Sequence, residues 1–302
     1  MNMELPAPFR ERIEKLIEDS AEFYAAMSRQ LPYAFRVNTL KASRANVLKR
    51  FKQYGISVRP VTFYPDAFVT DDLRVGSTLE HFLGHVYIQE VVSFLPPLAL
   101  DLGQAVLDSC AAPGSKTTQL AALMENRGLL VANDIEYMRL KALTANIERL
   151  GVTNTVVVNM NVLNMKGKFD SILVDAPCSS EGTLRKNPDV IGRWSESQIR
   201  ASSALQKRLI VKCFEMLKEG GSLVYSTCTF APEENEAVVD YLLSNSVGAK
   251  LERFVPRGFV TRPGVSSWNG KPFGFDTKLV ARVWPQDNDT GGFFIAKVRK
   301  SG

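Results

Sequence analysis

Two histidines, His81 and His85, are all that this 302-residue chain contains. A histidine-based site would have to use one of them, so the search for chemistry moves to cysteine, carboxylate and lysine. Cysteine is scarce as well. Cys110, Cys178, Cys213 and Cys228 form no C-x-x-C pair, which removes zinc-cluster spacing, and no metal site is expected. Long apolar runs are missing: Val91–Leu100 is broken by Pro96 and Pro97, so no membrane span is expected. The opening Met-Asn-Met-Glu-Leu-Pro has no basic region ahead of an apolar stretch. No export signal is read there, and reduced thiols in the cytoplasm are the expectation. Two phosphate signatures also fail. Counting back from Lys116, the glycines of a P-loop are replaced by Cys110 and Ser115, and a loop with one glycine cannot supply G-x-G-x-x-G.

What remains is an ordinary globular composition, 45% apolar and 23% charged, long enough for a full core. A net charge of +5 and a pI near 9.0 permit a nucleic-acid partner without requiring one. Residues 1–30 show helical spacing at Phe9, Ile13, Leu16, Ile17 and Phe23. Ala34–Lys41 alternates like a strand, Ser43 is placed to cap a helix closing at Gly55, and 56–61 is extended again. This βαβ-like piece carries Arg36, Lys41, Arg44, Lys49, Arg50, Lys52 and Arg59. The basic residues suit a solvated helix face or an RNA-facing platform.

From Ala105 onward strands and helices alternate. Strands are expected at 105–107, 129–133, 155–158, 171–174 and 223–226, and helices at 117–124, 137–150, after Ser195 and over 232–243. The helix after Ser195 carries Leu205, Leu209, Ile210, Cys213, Phe214 and Leu217 on one face. Gly220-Gly221 is expected to break it, and 291–297 to form a late edge strand. Such alternation predicts a doubly wound, mostly parallel α/β sheet. A small α+β subdomain precedes it, with the division at residues 1–100 and 101–302. In this architecture ligands bind beyond the carboxyl ends of the strands. Asp108, Asp134, Asp175 and Cys228 stand at those ends.

Between Asp108 and Thr117 the loop Ser-Cys110-Ala111-Ala112-Pro113-Gly114-Ser115-Lys116 joins strand to helix with small residues. That lets a backbone approach a ligand closely, and without phosphate signatures a nucleoside lacking a pyrophosphate is the better fit. Asp134 suits a ribose diol or the N-cap of the next helix. Asp175-Ala-Pro-Cys178 puts a carboxylate and a thiol within four residues, with a second thiol at Cys228; Cys213, on an apolar stripe, reads as core. A thiolate adding to carbon 6 of cytosine, with an acid on the Watson–Crick edge, makes carbon 5 nucleophilic enough to take a methyl group. An ordinary thiol would need its pKa lowered, for which Lys116 and the start of the helix after Pro232 are candidates.

These motifs, in this order, resemble the RNA cytosine-5 methyltransferases of the Nol/Nop/Sun type, archaeal tRNA enzymes among them. Arg36-Val-Asn-Thr-Leu-Lys41 resembles their amino-terminal motif, Asp108–Thr117 their cofactor loop, and Ala132-Asn-Asp134 with Arg139 their ribose motif. Asp175–Ser179 and Ser226–Asn235 resemble their two cysteine motifs, and Gly291-Gly-Phe-Phe294 the terminal one. The resemblance implies a Rossmann-like methyltransferase domain with a seven-stranded sheet, an RRM-like amino-terminal RNA-binding subdomain and S-adenosylmethionine as cofactor. It implies Cys228 as nucleophile, Cys178 assisting release of the methylated base, Asp175 on the cytosine edge and Lys116 near the reaction centre. The backbone of Cys110–Lys116 would embrace the methionine portion, with Asp134 and Arg139 at the ribose motif. Ser115 departs from the usual Gly. Asn161 replaces the usual Asp toward the adenine amino group and keeps an acceptor oxygen. RNA, with tRNA first and rRNA as the alternative, is the expected partner, and a monomer the expected state. DNA cytosine methylation through Cys178, a non-catalytic RNA-binding or assembly factor, and nucleotide hydrolysis are the competing readings.

Overall fold

A computed structural model describes residues 5–302; the helical expectation for residues 1–4 lies outside the described residues. Two helices open the chain, α1 (Ala7–Leu16) and α2 (Ser20–Met27). The small subdomain follows: β1 (Tyr33–Val37), α3 (Arg44–Gln53), β2 (Arg59–Val61), β3 (Tyr64–Thr70), α4 (Leu79–Phe82) and β4 (Val86–Ile88). Its sheet is antiparallel throughout, in the order β2-β3-β1-β4. Ser43 caps α3, its side chain accepting from the Asn46 amide, and Val47 and Phe51 bury that helix against Phe35, Phe68 and Val86.

Helix α5 (Leu95–Ala99) leads into β5 (Ala105–Asp108), α6 (Ser115–Leu123), β6 (Leu129–Asn133), α7 (Tyr137–Leu150), β7 (Thr155–Val158) and β8 (Phe169–Asp175). Then come α8 (Glu196–Glu215), β9 (Leu217–Thr227), α9 (Glu236–Asn245) and β10 (Ala249–Glu252). The chain closes with a short hairpin β11 (Ser267–Trp268) and β12 (Lys271–Pro272), β13 (Ala281–Val283), α10 (Pro285–Asn288) and β14 (Phe293–Lys300). The main sheet runs β10-β14-β9-β8-β5-β6-β7, with β13 added beside β14 as an eighth strand. Strands β7, β6, β5, β8 and β9 are mutually parallel. This is a doubly wound, Rossmann-like sheet, and the order of strands reverses between β5 and β8, where such sheets bind ligands. No helix among the described residues is long and apolar enough to cross a membrane.

Several local expectations are corrected. The run after Gly291 is not an edge strand. β14 lies inside the sheet, between β9 and β10, because Phe293, Phe294, Ile295, Ala296 and Val298 offer apolar groups to both faces. Gly220-Gly221 does not end a helix; α8 stops at Glu215 and the two glycines lie within β9. Consequently Leu217 is a strand residue. Leu205 faces solvent, while Leu209, Ile210, Cys213 and Phe214 are buried as expected. The helix assigned to 232–243 begins at Glu236.

The amino-terminal motif also differs from its surface reading. Arg36 is fully buried, donating to Gln89 Oε1 (3.1 Å) and Thr118 Oγ1 (2.7 Å). Asn38 Nδ2 reaches the carbonyls of Gly84 and Leu150, both at 2.8 Å, and Lys41 Nζ those of Leu83 and Arg149. Donors of β1 and its turn thus satisfy the open carbonyls at the end of α7, fastening the small subdomain to the helices that flank the ligand crevice. Helices α1 and α2 pack elsewhere. Phe9, Ile13, Phe23 and Met27 join Leu184, Phe230 and Trp284 in one cluster, beneath the loops that follow Cys178 and Cys228.

Candidate active site

Asp175, the last residue of β8, is level with Ser226 of the adjacent parallel strand β9. Neighbouring parallel strands that end together send their loops out side by side, and so Cys178 and Cys228, far apart in the chain, meet with their sulfurs 3.2 Å apart. Both are half-buried, whereas Cys213 is sealed in the core. Beside them Lys116 Nζ, from the first turn of α6, lies 2.6 Å from Asp175 Oδ2, and Ser226 Oγ donates to Asp175 Oδ1 at 2.8 Å. The Phe293 ring lies 5.6 Å from the same ammonium.

Burial works against the charge of Lys116, but Asp175, then Cys228 and Asp108, outweigh it and hold the ammonium above the ordinary lysine range. The Cys178 thiol is pushed well up, first by its hydrogen bond with Cys228 and then by burial. Cys178 therefore keeps its proton, and either sulfur can be the donor of the pair. Of the two groups expected to act on a thiol, Lys116 is in place. The other, the helix start, sits against the residues flanking Cys228: α9 begins at Glu236, and its N-cap Asn235 accepts from Thr227 Oγ1 at 2.5 Å and donates to the Thr229 carbonyl at 3.0 Å.

The loop after β5 is gripped on both sides. Thr117 Oγ1 donates to Asp108 Oδ2 (2.7 Å), and burial pushes Asp108 up to about 7. Its second oxygen is buried with no partner. Gly114 opens α6 at φ +103°, where a Cβ would come within 2.9 Å of Leu143 Cδ1, so conformation and space both require glycine. Ser115, by contrast, is already helical; the departure from glycine costs no strain there. Asp134 is not the N-cap of α7, which is Glu136; its Oδ1 accepts from the Glu136 amide (3.0 Å) in the turn ahead of the helix, while Oδ2 takes the Ala112 amide (3.1 Å). Arg139 pairs with Asp134 at 3.3 Å and donates to the Ala112 carbonyl. Asn161 is exposed, at the turn after β7, and its amide oxygen accepts from the Leu163 backbone at 3.0 Å.

Contacts at neighbouring strand ends bring together Cys110–Lys116, Asp134, Arg139, Asp175, Cys178 and Cys228; Asn161 makes no hydrogen bond to any of them. The sequence offered no signal for Glu181, and although Ser226 and Glu234 fall within the second cysteine motif, nothing local showed that Ser226 would reach Asp175 or that Glu234 would be buried behind the cysteine loops. Chemically, two thiols, an ammonium and a carboxylate at neighbouring strand ends can add sulfur to an electrophilic ring carbon and hold the ring's polar edge. A nucleoside bearing an amino acid fits the residues beside them. The unpartnered Asp108 oxygen is an acceptor awaiting a cation, and the glycine-opened helix start offers free amides.

Comparison with known proteins agrees. A family model described as 16S rRNA methyltransferase RsmB/F matches residues 96–299, and the N-terminal domain of 16S rRNA methyltransferase RsmF matches residues 5–91. The ribosomal RNA small subunit methyltransferase F of Vibrio cholerae is 41% identical over 99% of this chain, which spans 64% of that relative's length. The tRNA (cytosine(49)-C(5))-methyltransferase of Pyrococcus abyssi is 41% identical over 96% of this chain and 94% of its own. Among solved structures, a methyltransferase homologue from Pyrococcus horikoshii superposes with a TM-score of 0.88 at 36% identity, covering 99% of this chain and 96% of that one. NSun6 from the same organism, solved with SFG, gives 0.86 at 25% identity over the whole of both chains. With both family models in sequence order and relatives matched along nearly its full length, the chain belongs to the RsmB/F family of RNA methyltransferases, the Nol/Nop/Sun type that its cysteine motifs resemble.

Proposed function

We propose that this chain methylates carbon 5 of a cytosine in RNA through a transient bond to Cys228, using S-adenosylmethionine, and that the RNA is tRNA. The observation that carries the reading is the pair of half-buried thiols 3.2 Å apart beside the Lys116–Asp175 ion pair. Cys228 Sγ adds at carbon 6, and Asp175, steadied by Lys116 and Ser226, holds the polar edge of the base. Cys178, which keeps its proton, assists the departure of Cys228 once carbon 5 is methylated. The backbone of Cys110–Lys116 would hold the methionine portion of the cofactor, Asp108 its ammonium and Asp134 its ribose. When bound, the cofactor supplies an electrophilic methyl group. Arg139 acts at one remove, keeping Asp134 and the Ala112 carbonyl in place.

The tRNA reading follows the Pyrococcus abyssi tRNA enzyme, 41% identical over 96% of this chain. Ribosomal RNA is the second reading, favoured by the RsmF-type model over residues 5–91 and by equal identity. A labelled-methyl transfer assay on purified tRNA and 16S rRNA, followed by bisulfite mapping, tests both. Transfer to neither substrate would overturn the proposal, and transfer to rRNA alone would overturn its tRNA half.

A further inference from the structure

The loops bearing Cys178 and Cys228 are tied together reciprocally. Glu181, on the first loop, accepts from groups of the second: Thr229 Oγ1 at 2.9 Å and the Phe230 amide at 3.0 Å. Glu234, beyond Cys228, accepts from the Ser179 amide of the first loop at 3.0 Å. Between these acids the hydroxyls of Ser179 and Thr229, the residues directly following each cysteine, meet at 2.7 Å. Thr229 gives its proton to Glu181, so Ser179 is the donor of that bond. Trp194 Nε1 braces Glu181 at 2.6 Å, and Gln206 Nε2 spans Glu234 and the Pro177 carbonyl, each at 2.8 Å.

Neither acid reaches the crevice; Glu181 is 2% exposed and Glu234 0%. Burial pushes Glu234 up to about 7, and the Glu181 charge adds to the shift. Two adjacent buried carboxylates are an expensive filling for space that apolar side chains would occupy without desolvation cost. What they provide is direction. Each acid draws donors from the opposite loop, and chain entropy would otherwise let two separate loops drift apart.

We infer that Glu181 and Glu234 are positioning residues that hold Cys178 Sγ in contact with Cys228 Sγ, and that this contact governs how fast methylated RNA leaves the enzyme. The inference rests on the role proposed above for the two thiols. In the release step, carbon 5 loses its proton to water and the C–H electron pair becomes the carbon 5–carbon 6 double bond. The carbon–sulfur bond breaks with its electrons on Cys228, and the Cys178 S–H hydrogen bond stabilises that leaving thiolate. Widening the gap between the sulfurs weakens the hydrogen bond and slows expulsion, while the initial attack by Cys228 proceeds.

Two readouts on the full chain test this. Dibromobimane fluoresces when it bridges two nearby thiols, and so reports the gap without RNA; Cys178→Ala sets the background from other thiols. Denaturing gels of a methylation reaction report the lifetime of the protein–RNA adduct. Glu181→Gln and Glu234→Gln each leave donors short of an acceptor, so bridging should slow about tenfold and the adduct persist about tenfold longer. The first turnover of methyl transfer should remain, and Glu181→Gln, which keeps one acceptor oxygen, should fall between wild type and Glu181→Ala. Should either variant lose its cooperative melt, Thr229→Val, which removes only the shared hydroxyl, takes its place. Bridging at the wild-type rate in these variants overturns the inference. Slower bridging with an unchanged adduct lifetime overturns its kinetic half. Failure of Cys178→Ala to accumulate adduct instead removes the underlying reading of Cys178, while the bridging result still judges the positioning.

Discussion

Lys116 Nζ lies 2.6 Å from Asp175 Oδ2, and the two residues come from beyond different strand ends, one from the first turn of α6 after β5 and the other from the tip of β8. The pair therefore exists only at the reversal of strand order. With the lysine side chain 8% exposed and the aspartate 29%, each charge depends on the other for compensation. Lys116→Met should lower methyl transfer by about 10²–10⁴-fold, the range for loss of a positioned acid or base. Single-turnover transfer of labelled methyl measures it, and a loss below tenfold would show that the ammonium takes no part.

The two cysteines should separate cleanly. Cys228→Ala should abolish transfer while cofactor binding persists in calorimetry. Cys178→Ala should accumulate a covalent protein–RNA species on denaturing gels. The DNA-type assignment, with Cys178 as nucleophile, requires the reverse pattern, so the same two proteins decide between them.

Asp108 gives a pH dependence with a definite sign. Its folded-state pKa is about 7 against an ordinary 3.8, raised by burial. Between those values the folded protein binds more protons than the unfolded chain, so stability falls as pH rises from about 4 to about 7, by roughly 4 kcal/mol from this group. Asp108→Asn should remove that part of the slope. Melting temperatures of the two proteins should coincide near pH 4 and diverge by pH 8, with the variant higher. Parallel curves would refute the assignment.

Gly182 and Gly292 let two segments touch beside Cys228. The Gly182 amide donates to the Cys228 carbonyl at 2.8 Å, and the Gly292 amide to the Gly182 carbonyl at 2.9 Å. A Cβ on Gly292 would stand 2.1 Å from the Phe230 ring, and one on Gly182 would stand 2.2 Å from the Gly292 carbonyl oxygen. Gly292→Ala should cost about 1–3 kcal/mol, the usual range for overpacking, and Gly182→Ala more, because backbone cannot step aside. Denaturant melts measure the cost. A loss of transfer exceeding that of stability would show that the Cys228 loop has moved.

Asn38 tests how the subdomain is fastened. Its amide serves two carbonyls, one in the subdomain and one at the end of α7. Asn38→Ala leaves both buried acceptors unpaired, at about 1–3 kcal/mol each. Hydrogen exchange should quicken in β4 and in the last turn of α7 together; a change confined to one of them would mean that the clamp does not couple the two.

The sequence by itself determined the alternation of the large domain and the polar residues at its strand ends, since apolar runs of strand length and capped helical stretches are local properties. Asp108, Asp175 and Cys228 were legible for that reason, and motif order carried the family. Burial on both faces is not local. Nothing in Gly291–Lys297 says whether a neighbour will cover its outer side, and β14 became an interior strand because β10 and β13 do so. Arg36 read as surface charge for the same reason: a cation's burial depends on Gln89 and Thr118, distant in sequence, arriving to accept its hydrogen bonds. The meeting of Cys178 with Cys228, and of each loop with the other's glutamate, was settled only when β8 and β9 paired in parallel with level ends. Spacing along a chain carries no information about register between strands; hydrogen bonding across the sheet does.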